Sequence, residues 1–78
     1  MKPFTKENQF ARELALSLND LESLELYESY AHDYPESLLR TIFTDVMSVP
    51  EHKIKKSRAA LFNFLVNKYA KRNNINRD

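Results

Sequence analysis

The chain has 78 residues, 42% of them hydrophobic, a formal net charge of +1, and neither glycine nor cysteine. So short a chain leaves no room for a second independent core, and without cysteine it has neither a disulfide framework nor a thiolate zinc site. Without glycine it also lacks phosphate-cradling Gly-rich loops and nucleophile elbows, which need positive φ or a close backbone approach.

Five Phe and four Tyr supply large apolar areas, enough to set the chain apart from low-hydrophobicity disorder. The opening Met1-Lys2-Pro3-Phe4-Thr5-Lys6-Glu7 is too polar for a signal peptide. No apolar run approaches the roughly 18 residues that a membrane span requires. The expectation is a cytoplasmic protein with no membrane partner.

Hydrophobic spacing is helical along most of the chain. A first helix is predicted over roughly 6–18, capped by Thr5, with Phe10, Leu14 and Leu18 on one face. Asn19-Asp20 breaks the pattern, and Asp20 is a suitable N-cap for a second helix over roughly 21–33. Leu21, Leu24, Tyr27, Ala31 and Tyr34 fall along one side of it. Pro35 ends that helix and suits the first turn of a third, roughly 35–47, which would bury Leu38, Leu39, Ile42 and Val46, with Phe43 at the flank.

Pro50-Glu51 opens a short turn or helix before a final helix over roughly 55–72. There Leu61, Phe62, Leu65 and Tyr69 form the predicted buried side, with Phe64 and Val66 as its shoulders. The opposite stripe holds Lys56, Asn63, Asn67, Lys71 and Asn74. Residues 1–4 and 73–78 read as frayed ends. The predicted fold is one all-α domain, a compact bundle of three or four helices with the C-terminal helix at its centre.

The small net charge conceals a strong polarity. Residues 1–50 hold four Lys/Arg against nine acids, a net of −5, whereas residues 51–78 hold eight against two, a net of +6. One reading is structural, with an acidic helix pair lying against a basic helix. The other is an anion-binding surface, for which nucleic-acid phosphates are natural ligands. In that case Lys53, Lys55, Lys56, Arg58, Lys68, Lys71 and Arg72 contact phosphates, while Asn63 and Asn67 face base edges, since Asn pairs bidentately with adenine.

Other constellations lack a complete set of parts. His32 and His52 sit in separate segments, and the pairs His32-Asp33 and Glu51-His52 put potential ligands next to each other rather than at helical i, i+3 or i+4 spacing, so no metal or cofactor is predicted. Glu22, Glu25 and Glu28 read as a solvated helix face, and Ser57 has no base partner, so the chain is not expected to be an enzyme. Tyr27, Tyr30 and Tyr34 are either core packing or a hot spot for a protein partner. A second copy is also a candidate partner, its acidic front meeting the basic back of the first.

The run from Tyr30 to Tyr69 carries Tyr34-Pro35-Glu36-Ser37-Leu38-Leu39-Arg40, Val49-Pro50-Glu51 and Ile54-Lys55-Lys56-Ser57-Arg58-Ala59-Ala60-Leu61-Phe62. It resembles small helical modules of plasmid and mobile-element replication proteins over about half the chain. Such modules often have Gly where Ala59 stands here. The resemblance implies a role near DNA replication or mobile-element maintenance and assigns no individual contacts.

Overall fold

A computed structural model describes residues 6–73, with side chains described as far as Ala70. Helices α1 (Lys6–Ser17), α2 (Leu24–Asp33), α3 (Glu36–Ser48) and α4 (Arg58–Asn73) are joined through 3₁₀ turns at Leu21–Ser23 and Glu51–Lys53. There is no strand among the described residues, so the fold class is the predicted all-α helical bundle. The expected Thr5 cap and the frayed ends 1–4 and 74–78 lie outside the described residues, whereas Asn73 belongs to α4. The chain divides into two units, one up to Arg40 and one from Thr41 onward.

In the first unit α1 and α2 pack on each other. The predicted face of α1 is buried through Phe10, Leu14 and Leu18, joined by Ala11 and Ala15. The helix stops at Asn19, which takes a left-handed φ of 56°. The Asp20 N–H then donates to Ala15 O at 2.8 Å and the Asn19 N–H to Leu16 O at 3.1 Å. These two bonds form the Schellman termination, with Asn in the position that Gly usually holds. Asn fills it because its short polar side chain tolerates the left-handed region better than most.

Two details of the second helix differ from expectation. Asp20 makes no side-chain cap, and the segment begins as a 3₁₀ turn, so α2 proper starts only at Leu24. The Asp20 carboxylate instead accepts the Tyr27 hydroxyl at 2.9 Å. Leu21, expected on the buried side, is 46% exposed, because a residue in the tighter turn does not follow the 3.6-residue period of α2.

Tyr34 ends α2 in an extended conformation, as a residue before proline prefers. The Pro35 carbonyl then accepts the N–H groups of Leu38 and Leu39, which sets α3 going at Glu36. Arg40 closes this unit. It bonds Glu36 at 2.6 Å, lies 3.8 Å from Glu13, and places its guanidinium 4.7 Å from the centroid of the Phe10 ring.

In the second unit Ile42 and Val46 carry on the apolar stripe of α3 and are fully buried. After Pro50 and the 3₁₀ turn, the backbone of residues 54–57 is non-helical, and α4 starts three residues later than predicted. Ser57 sets that start. Its Oγ accepts the Ala60 N–H at 3.0 Å, the bond an N-cap makes to the third helical residue. Ala59, Phe62 and Val66 form the buried stripe of α4. Val66, expected at a shoulder, is at the centre of that stripe. Phe64 follows Phe62 by two residues, a rotation of about 200° at 3.6 residues per turn, and is 60% exposed.

Candidate functional site

The basic segment holds the most distinctive surface among the described residues. Lys53 closes the 3₁₀ turn, and Lys55 and Lys56 occupy the non-helical approach to α4; all three are exposed. They border a groove of about 490 Å³ floored by Ile54, Ala60, Leu61 and Phe64. Lys68, one turn beyond Phe64, holds its ammonium 5.9 Å from the centroid of that ring. Among the described residues no acid lies within ion-pair distance of any of these four lysines.

Local sequence explains the arrangement. Ser57 caps α4 and so keeps Lys55 and Lys56 out of the helix. With the helix begun, Leu61, Phe64 and Lys68 follow at spacings of three and four, which align them on one face. Since Phe62 and Val66 claim the buried side, Phe64 is left on the outside.

The other residues expected at a nucleic-acid interface are placed differently. Arg58 is half-buried, and its Nη1 donates to Val46 O at 2.7 Å and to Val49 O at 2.9 Å. It meets carbonyls at and just beyond the C-terminal end of α3, where a cation also meets the negative end of the helix dipole. The Asn63 amide donates to Ala59 O at 3.2 Å and the Asn67 amide to Asn63 O at 2.9 Å, so both donor groups lie back along their own helix. Lys56 is in the approach turn rather than on a helical stripe with these two. The side chains of Lys71 and Arg72 lie outside the described residues.

The tyrosine set proves to be packing rather than an open face. Tyr27 is fully buried, Tyr30 is 8% exposed, and Tyr34 is half-buried. Their rings meet in sequence, Tyr27 to Tyr30 at 6.3 Å edge-on and Tyr30 to Tyr34 at 6.1 Å tilted. Spacings of three and four residues bring these amphipathic side chains to one side of the segment, where their rings meet. Burial pushes the Tyr27 hydroxyl above the ordinary tyrosine range, and its bond to Asp20, the charge of Asp20 and nearby Tyr30 push it the same way.

A second hollow, about 450 Å³, lies in the first unit beside Phe10, Tyr34 and Pro35. Its border sets Lys6 against Glu7, Asp33 and Glu36, an acidic excess that does not suit an anionic ligand. His32 borders it as well, 3.6 Å from Asp33 and well exposed. Among the described residues no three His, Asp or Glu side chains converge as metal ligands would, and no helix is long and apolar enough to cross a membrane.

No family model, no curated protein and no solved structure matches this chain.

Proposed function

We propose that this chain is a non-catalytic nucleic-acid-binding module whose interface is the Lys53–Lys56 turn and the adjoining face of α4. The observation that carries the reading is the exposure of Lys53, Lys55 and Lys56, none of them paired with an acid among the described residues, around one groove. Lysines that support the fold would meet carboxylates or carbonyls, as Arg40 and Arg58 do. Unpaired lysines on one surface attract a polyanion, and phosphate contacts gain from the release of condensed counterions. A cytoplasmic setting and a task near the replication or upkeep of mobile DNA, which the sequence resemblance implies, accord with such a ligand.

Fluorescence anisotropy with labelled DNA, taken over a series of salt concentrations, tests this. Affinity should fall steeply with salt. Charge reversal at Lys53, Lys55 and Lys56 together should weaken binding at least tenfold and flatten the slope by roughly two to three, since each phosphate contact contributes about 0.7–0.9. No binding at low salt, or an unchanged affinity in the reversed variant, would end the proposal.

A second reading has its own observation. Leu16, Leu21 and Leu26 are exposed on the acidic half, at 57%, 46% and 39%, with Glu22 and Glu25 exposed nearby in sequence. Apolar side chains among acids suit a protein partner, including a second copy of the chain. A stoichiometric partner retained after nuclease treatment, and lost on Leu21→Lys, would support it.

A further inference from the structure

We infer that the groove beside α4 takes single-stranded nucleic acid in preference to duplex, with Phe64 as the surface on which an unpaired base stacks; this rests on the nucleic-acid reading above. Among the described residues Phe64 is the most exposed of the large hydrophobic side chains, at 60%, although it lies in a helix with a buried stripe available two residues to either side. An exposed ring beside cations has a specific use in nucleic-acid recognition. Every base has a π-face, so an aromatic platform holds unpaired bases whatever their sequence, while lysines follow the backbone.

The dimensions agree. The groove of about 490 Å³ has room for a nucleobase and its sugar, and Ile54, Ala60 and Leu61 give it an apolar floor. Lys53, Lys55 and Lys56 line the groove beside the start of α4, and Lys68, farther along the helix, holds its ammonium 5.9 Å from the Phe64 ring centroid. Ala60 and Lys68 are about 12 Å apart along the axis at 1.5 Å per residue. A short run of nucleotides can therefore meet these cations while one base lies on Phe64.

Duplex readout is less well provided for. A helix reading a major groove presents side-chain donors to base edges. Here the amides of Asn63 and Asn67 are bonded to carbonyls of their own helix, and one arm of Arg58 holds Val46 and Val49. Each of these groups already commits a donor to the protein backbone, whereas the exposed Phe64 ring commits no hydrogen bond.

The chain contains no tryptophan, so Phe64→Trp installs a single indole reporter. Titration with oligothymidylate should quench its emission, whereas inorganic polyphosphate, which has no bases, should bind without quenching. In anisotropy, the unmodified chain should prefer oligothymidylate to a duplex of equal length. Phe64→Ala should weaken the single-strand complex about tenfold and leave polyphosphate binding unchanged, and Phe64→Tyr should restore it. Helical circular dichroism of the Ala variant should match that of the parent, since the ring is mostly outside the core.

Equal affinity for duplex and single strand, or an Ala variant with undiminished single-strand binding, overturns this inference and leaves the general nucleic-acid reading in place. Loss of all binding at low salt removes both. Tighter capture of an acidic, leucine-bearing peptide than of oligothymidylate assigns the groove to a protein and also overturns the inference.

Discussion

Arg40 and Lys56 carry the same charge on comparable side chains, yet their surroundings are unlike. In residues 6–40, Arg40 meets Glu36, Glu13 and the face of Phe10, while Tyr27 gives its hydroxyl to Asp20. In residues 41–70, Arg58 is held by two carbonyls, but Lys53, Lys55 and Lys56 have no acid within ion-pair distance among the described residues and Phe64 is 60% exposed. A basic residue count therefore mixes two populations. Arg40 and Arg58, with their planar forks of donors, join elements of the fold, and the flexible ammonium groups of Lys53, Lys55 and Lys56 are left at the surface.

The two phenylalanines near the start of α4 offer the sharpest way to break this comparison. Phe62→Ala removes a fully buried ring and should cost about 3–5 kcal/mol, a large share of the stability of so small a chain. Phe64→Ala, only two residues away, should change stability by less than about 1 kcal/mol. Urea denaturation of both variants measures the contrast. Similar losses would mean that Phe64 supports the core and is no platform.

The basic residues give a middle-sized effect. Arg58→Ala leaves two carbonyls without their charged donor and should destabilise by about 1–3 kcal/mol. Lys56→Ala should stay within about 0.5 kcal/mol of the parent while weakening nucleic-acid binding. Arg58→Lys should recover only part of the loss, because one ammonium does not reproduce the fork. Thermal melts alongside binding curves separate the two roles.

Tyr27→Phe should cost about 1 kcal/mol at neutral pH for the lost bond to Asp20. Its pH dependence is more telling. The hydroxyl is held above its unfolded value, near 10, so its contribution is complete below that pH and is lost as pH rises through the alkaline range. Melts at pH 8 and pH 11 should show the parent ahead at the first, with its advantage gone or reversed at the second. A constant difference would place Tyr27 in water rather than in the core.

The helices were legible because Leu39, Ile42 and Val46 repeat at helical spacing and Pro35 and Pro50 punctuate the chain. The start of α4 was not, because a lysine-rich approach and a lysine-rich first turn have the same composition. Ser57 held the signal, a capping residue followed by Arg58-Ala59-Ala60. The basic segment stood out from charge alone, but the division of labour within it did not. That Arg58 faces carbonyls while Lys55 faces solvent depends on backbone groups far along the chain, to which side-chain periodicity is blind. The exposure of Phe64 was half visible. It was placed at a shoulder of the apolar arc, and a stripe centred on Phe62 and Val66 turns it outward.

The contact from Arg58 back to Val49, nine residues earlier, has a further consequence. It closes the segment that carries Lys53, Lys55 and Lys56 into a loop pinned at both ends, on one side by α3 and on the other by the capped start of α4. A pinned loop samples fewer shapes before a ligand arrives, so less conformational entropy is lost when one binds. On the proposed nucleic-acid reading, Arg58 would act by holding the ends of the loop that carries the lysines.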